Sequence, residues 1–408
     1  MIQGTRAAAV VVVVVGCLGC CVDPASDVPR VRLAAGAAFP VGDPPPALDL
    51  GGVPAGVEAF DLGVLAMTAG RSAEVLVDVD GGVRSFTFLV SAHEGASVVV
   101  DRVEDPRGAL VVDPTPSAEV SRLALRLSRG FAGPFLSTNR MAAKSGGAFT
   151  VPATPAVELV TGTWRARLAQ GVVDVDDDGA FGQTPFDRPV RLVVLVDTRP
   201  PTARARLPIA LHFTGDDGLS AASAPASPLV QQVLSTLQQT FEPAGVDVED
   251  AGFFDVDDGA FQTLELAPDL CDDGDLTLLL RSLPPTPALD VVFVDRLRCV
   301  VRGDVVVDGF AGLAAAIPGA GLALAVGVVG DDPEQAGVVV AHEVGHLLGL
   351  FHTVEQASGA DPLIFDILAD TPDDPTNVSN LMHFAPETST SLTADQVAVV
   401  RLSPWLQD

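Results

Sequence analysis

The sequence predicts two folded parts in series: an all-β sandwich over residues 51–200, then an α/β (α+β) domain over residues 201–408. Three observations carry that prediction. Short apolar runs punctuated by Gly, Pro and Asp fill the first part. Beyond residue 200, strand-like and helix-like periods alternate. The second part also holds His342-Glu343-Val344-Gly345-His346-Leu347-Leu348-Gly349-Leu350-Phe351-His352, which takes three of the chain's six histidines.

The chain's 408 residues favour two domains over one, and a hydrophobic fraction of 48% suffices for two cores. A net charge of -29 argues against nucleic acid and against adhesion to anionic lipid, and reads as a solvated acidic surface.

Residues 1–20 have the layout of an export signal: Arg6, an apolar run over 7–15 too short to span a bilayer comfortably, then small residues. Gly16-Cys17 and Gly19-Cys20 each resemble a bacterial lipobox. Cys17 fits best, because Val14 lies three residues ahead of it, and Cys20 is the alternative. That resemblance implies a lipid anchor at the bacterial cell envelope, at the outer membrane, with plain secretion as the other outcome. Membrane contact is then expected through the N-terminal lipid only. Residues 21–50, rich in Pro, Gly, Ala and Asp, read as an extended tether. Cys271 and Cys299 remain in the body of the chain; in an exported protein such a pair suggests a disulfide, two buried thiols being the alternative.

Within the first part, residues 74–79, 85–90, 97–103, 122–127, 163–168 and 190–196 read as strands rich in Val, Leu and Phe. The segments at 86–90 and 162–168 resemble the pre-peptidase-type sandwich that accompanies many secreted bacterial peptidases. Asp174-Val175-Asp176-Asp177-Asp178-Gly179 has the carboxylate spacing that opens a Ca2+ loop, but Pro185 stands where the bidentate Glu belongs. An acidic hairpin turn is the competing reading, and residues 255–259 repeat the pattern more weakly.

Residues 198–201 mark the boundary. Residues 207–213 alternate as a strand. Ser227-Pro228 caps a helix whose apolar face is Leu229, Val230, Val233, Leu234, Leu237 and Phe241. Gly245 stops it before a strand at 246–248. A short helix is expected at 275–283 and a buried strand at 289–294. Residues 309–330 are uncharged, but Pro318-Gly319 breaks them into two strands joined by a turn, against a membrane span. Asp332-Pro333-Glu334 then opens the histidine helix.

On that helix His342 and His346 lie four residues apart and present both imidazoles from one face. Gly349 can end the helix in the left-handed region, which lets His352 come round as a third ligand. Three protein ligands leave a fourth position open, the arrangement of a hydrolytic Zn2+, with Glu343 beside it as general base. The extended motif resembles that of the metzincin zinc peptidases. Asn380-Leu381-Met382-His383-Phe384 resembles their methionine turn, which implies that Met382 lies beneath the zinc. Thr393 to Gln396 forms a capping box for the helix that the family has next. Phe351-His352-Thr353 and Asp370-Thr371-Pro372 look most like pappalysin-type enzymes. One feature departs from astacin-like members: Phe384 replaces the tyrosine that approaches the metal, and the chain has no tyrosine at all. Stabilisation of the transition state would then come from zinc, backbone amides or His383, unless His383 is merely structural. The resemblance implies a zinc endopeptidase acting on a protein or peptide substrate; the alternative is a catalytically inactive surface binding protein of the same fold. Glu355, Asp361, Asp366, Asp370, Asp373 and Asp374 crowd the segment before the turn, either as a solvated loop, as calcium ligands or as a preference for basic substrate residues.

Overall fold

Strands dominate the computed structural model, which describes residues 30–34, 43–45, 53–93, 96–112, 146–175, 181–215, 218–256, 259–266, 274–284, 286–301, 304–314, 321–330, 332–355, 364–371, 374, 376–383 and 389–407. Before residue 200 these are β1 (Arg30–Leu33), β2 (Val57–Leu65), β3 (Met67–Thr68), β4 (Arg71–Ser72), β5 (Val75–Val79), β6 (Ser85–Ser91), β7 (Ser97–Glu104), β8 (Leu110–Val112), β9 (Gly146–Val151), β10 (Gly162–Val175), β11 (Phe181–Pro185) and β12 (Val190–Asp197). They form two antiparallel sheets. In one, the long β10 pairs with β4, β5, β7 and β11, and β1 adds to β5; the other runs β2-β12-β6-β9. Between them lies a core of Val75, Val77, Phe86, Phe88, Trp164, Leu168, Leu192 and Val194, with Phe86 edge-on to both Phe88 and Trp164.

β1 revises the tether expected over 21–50: Arg-Val-Arg-Leu at 30–33 pairs residue for residue with β5. The expected strand at 122–127 lies outside the described residues.

The second sheet explains an oddity of its sequence. Val190–Asp197 is almost continuously apolar where a sandwich strand should alternate. Its even residues, Leu192, Val194 and Val196, enter the sandwich core, while Val193 and Leu195, with Leu89 and Val57, pack into the core of the C-terminal part. Both faces are buried, so both faces are apolar.

After residue 200 come β13 (Ala205–Phe213), α1 (Pro228–Phe241), β14 (Val246–Asp255), β15 (Thr263–Leu266), α2 (Gly274–Ser282), β16 (Leu289–Val294), β17 (Arg296–Val301), β18 (Asp304–Phe310), β19 (Gly312–Ala314), β20 (Gly321–Ala325), α3 (Val326–Val329), α4 (Pro333–Leu347), β21 (Val354–Glu355), β22 (Ile364–Phe365) and α5 (Ala394–Val400). The main sheet has the order β14-β13-β16-β20-β19, parallel except for the antiparallel edge strand β19. The uncharged run at 309–330 thus supplies the antiparallel pair β19 and β20 and the short helix α3, its Pro318-Gly319 lying outside the described residues, and among the described residues no helix is long and apolar enough to cross a membrane. α1 begins at the Ser227 cap with Pro228 in its first turn, and Gly245, at φ 67°, turns the chain into β14. α1 and α4 cover one face of the sheet with Val230, Val233, Leu237, Phe241, Val340, Val344 and Leu347; α2 covers the other with Leu276 and Leu279.

The C-terminus closes back onto the sandwich. Arg199, buried and paired with Asp197, donates to the carbonyls of Leu406 and Ser403 (the latter at 3.3 Å). Arg84 donates to Arg401 O, and Ser85 Oγ donates to Leu402 O at 3.0 Å. The boundary near 200 therefore separates sheets, while the packing runs on across it.

Candidate metal centre

α4 positions the first two histidines. Asp332 caps it by accepting from the amides of Glu334 and Gln335, with Pro333 at its first position. His342 and His346 emerge on one face. The helix ends at Leu347, Gly349 takes φ 99°, and the amides of Leu348, Gly349 and Leu350 bond back to Val344, His346 and Gly345. A side chain at Gly349 would meet only Val399, at 3.6 Å, so this glycine serves the backbone turn. The reversal returns His352 to the other two.

The three Nε2 atoms form a triangle. His342 to His352 is 3.0 Å, His346 to His352 is 3.0 Å and His342 to His346 is 3.1 Å, all three residues being buried. His342 Nδ1–H donates to Leu381 O and His346 Nδ1–H to Leu350 O, each at 2.7 Å. Those bonds fix the tautomers: the Nε2 atoms of both rings carry lone pairs into the triangle. Facing lone pairs repel unless a cation sits among them. Donor atoms around a tetrahedral ion at ~2.0–2.1 Å lie roughly 3.3 Å apart, close to these separations, so the residues present fit a bound metal. Imidazole donors suit zinc, copper, iron and nickel. Among the described residues this is the group of three or more candidate ligands that converges. Burial, then the neighbouring His352, pushes His342 down to about 3 from an ordinary 6.5, with buried His383 acting the same way; a proton is a poor occupant of this site.

Glu343, half-buried, turns its carboxylate to the edge strand. A Cβ on Gly312 would lie 2.9 Å from Glu343 Cγ and 3.1 Å from Oε1, so the strand's bare backbone borders the acid. Met382 is fully buried against α4: a Cβ on Gly345, between the two helix histidines, would stand 2.5 Å from its Sδ. The turn that carries Met382 is braced from α5. The capping box at Thr393 and Gln396 is present, and Gln396 also exchanges two bonds with Asn380, at 2.9 and 3.0 Å. Asn380 Oδ1 accepts from Met382 N at 2.8 Å, and Met382 O accepts from Thr353 N at 2.8 Å, which joins the turn to the third histidine's segment.

The structure thus brings His342, His346 and His352 together, with Met382 packed against Gly345 of the same helix, while Glu343 lies next to His342 in sequence and against Gly312. Cys17, Cys20 and Cys271 lie outside the described residues, as does the side chain of Cys299 on β17, and so does Phe384. Asp174 sits in β10 opposite Gly182 of β11, in a hairpin whose tip, 176–180, is also outside them. Three of the acids before the turn have local employment: Asp366 accepts from Leu368 N and Thr371 Oγ1, Asp370 from Asp395 N, and Asp374 from Thr376 N and Oγ1, bonds that lower the pKa of Asp374; Asp361, Asp373 and the side chain of Glu355 lie outside the described residues. The sequence reading missed Gly312, the two carbonyls that orient the histidines, and the Asn380–Gln396 pair. A box residue, Gln396, and an amide two residues before Met382 were visible signals for the last.

No family model matches the sequence, and a search of curated proteins finds no match. Among solved structures the chain is similar to metalloproteinase-II from Bacteroides fragilis, at 13% identity and a TM-score of 0.26, over 56% of this chain and 64% of that one. The chain therefore spans less than two thirds of that protein's length, and a TM-score this low does not establish a shared fold.

Proposed function

We propose that this chain is a zinc-dependent endopeptidase of metzincin type, pappalysin-like in its motif, that cleaves extracellular or envelope proteins. The observation that carries the reading is the buried triangle of Nε2 atoms, two of them oriented by Nδ1–H bonds to backbone carbonyls, with Glu343 next in sequence. Three histidines with an open fourth position are the ligand set of catalytic zinc. Zinc held there supplies Lewis acidity toward a carbonyl and makes water acidic near neutral pH. Glu343 receives the proton of the attacking water on its carboxylate and delivers it to the leaving amine. Such transfer contributes roughly 10²–10⁴ in rate. The Leu381 and Leu350 carbonyls hold the rings in place, and Met382 fills the space under them. Because the sequence holds no tyrosine, no phenol shares the work. A lipid anchor on Cys17, or Cys20, would keep the enzyme at the envelope.

Metal analysis and cleavage of a diverse peptide mixture, with wild type and Glu343→Ala in parallel, test the proposal. Stoichiometric zinc in both and cleavage by the wild type alone are expected. A wild type that holds zinc yet cleaves no more than the variant would leave the inactive binding protein as the surviving reading.

A further inference from the structure

The third ligand sits at the base of a two-stranded hairpin. Phe351 precedes β21 and Ile367 follows β22, and Asp366 N donates to Thr353 O at 3.2 Å across that base. Both Phe351 and Ile367 leave the core of their own part and pack, partly buried, against the sandwich core. His352, between Phe351 and Thr353, has the sandwich contact on one side and the Met382 carbonyl on the other. His342 and His346 stand on a helix of 15 residues, whereas His352 lies on the loop that leads into β21.

We propose that Phe351 and Ile367 are positioning residues for the metal, and that the sandwich is the platform that seats the third ligand. The idea rests on the metal reading of the three histidines. An imidazole on a loop binds a metal well only when its direction is held before the metal arrives, because ordering it afterwards subtracts from the binding free energy. The apolar plug of Phe351, one residue from the ligand, supplies that order, and the fixed face it plugs into belongs to the sandwich. The N-terminal part is thus a component of the metal centre in addition to anything it binds.

The test uses the full chain, stripped of metal, with zinc affinity measured by competition with a chromophoric chelator and geometry followed by the visible spectrum of bound Co2+. The variants are Phe351→Ala, Ile367→Ala, Phe351→Leu and, as a control, Val77→Ala on β5. All are assayed at a temperature where circular dichroism shows them folded. Phe351→Ala is expected to weaken zinc about 10–100-fold, the range for removing a group that orients a ligand, and to alter the Co2+ spectrum. Phe351→Leu, which keeps an apolar plug, should recover most of the affinity. Ile367→Ala gives the same test if Phe351→Ala does not fold. Unchanged affinity and spectrum in both alanine variants, or an equal loss in Val77→Ala, overturns the inference. A wild type that binds no metal overturns the metal-centre reading, and this inference with it.

Discussion

Gly345 separates the two helix histidines, and its lack of a side chain has a measurable consequence. In Gly345→Ala the new methyl would stand 2.5 Å from Met382 Sδ and 3.3 Å from its Cε. Met382 is flexible in principle, with three rotatable bonds, but it is fully buried. Overpacking of this kind costs about 1–3 kcal/mol, whereas alanine gains roughly 1 kcal/mol over glycine inside a helix. The net expectation is a loss of about 0–2 kcal/mol. The background decides the sign. In Met382→Ala, which itself costs about 2–5 kcal/mol, the clash is gone and only the helix gain remains. The double-mutant cycle should therefore give a coupling of about 1–3 kcal/mol, with Gly345→Ala stabilising only when Met382 is absent. Urea denaturation of the metal-free protein, at equal m-values, measures all four corners. Additivity within about 0.5 kcal/mol would refute the contact between Met382 and the histidine helix.

Three further outcomes follow from the same packing. Arg199→Ala removes the guanidinium bonded to the buried Asp197 carboxylate, which keeps Arg84 at 3.9 Å and the amide of residue 199, and frees two carbonyls near the C-terminus, so urea melts should show a loss of about 1–3 kcal/mol. Asn380→Ala leaves the Gln396 amide and Met382 N–H without their partner; about 1–3 kcal/mol of stability should go, with weaker metal binding in the same sample. In metal-free protein His342 should contribute stability that is fully present above about pH 6.5 and lost as pH falls toward 3, because the unfolded chain protonates His342 while the folded chain, whose His342 is held at about 3 by burial and His352, does not. Urea midpoints at pH 7.5 and 4.5 measure that loss, and His342→Gln should flatten it.

The histidine triangle was legible because its information is local. Four-residue spacing on a helix, a glycine at 349 and a histidine three residues later specify the ligand triangle almost without reference to the rest of the chain. The caps at Ser227, Asp332 and Thr393 were legible for the same reason. What escaped depends on partners remote in sequence. Nothing near Phe351 announces that it meets the sandwich core. Gly312 looks like one more glycine of an apolar run until Glu343 is set against it. β1 is four residues in Pro- and Gly-rich surroundings, and only β5 makes it a strand. The continuous apolar character of Val190–Asp197 did carry a long-range message, since a strand that fails to alternate is buried on both faces, but the message does not name the second face's partner.

That second face also determines whether the C-terminal part can stand alone. Residues 201–408 without the sandwich would lose the cover of Val57, Leu89, Val193 and Leu195, all in their shared core. Four such side chains at about 1.5–3 kcal/mol each amount to an upper bound of roughly 6–12 kcal/mol. Losing the bonds from Arg84, Ser85 and Arg199 to residues 401–406 adds to that. A folded domain has in all about 5–15 kcal/mol to lose. The isolated 201–408 fragment should therefore be unfolded or molten, and the intact protein should melt in a single transition seen alike by circular dichroism and by Trp164 and Trp405 fluorescence. Trp164 lies in the sandwich core and Trp405 in the other, so the two report on opposite sides of the junction. Single-tryptophan variants that melt at separate temperatures, or a fragment that unfolds cooperatively with near-native stability, would show that the shared sheet does not couple the two parts.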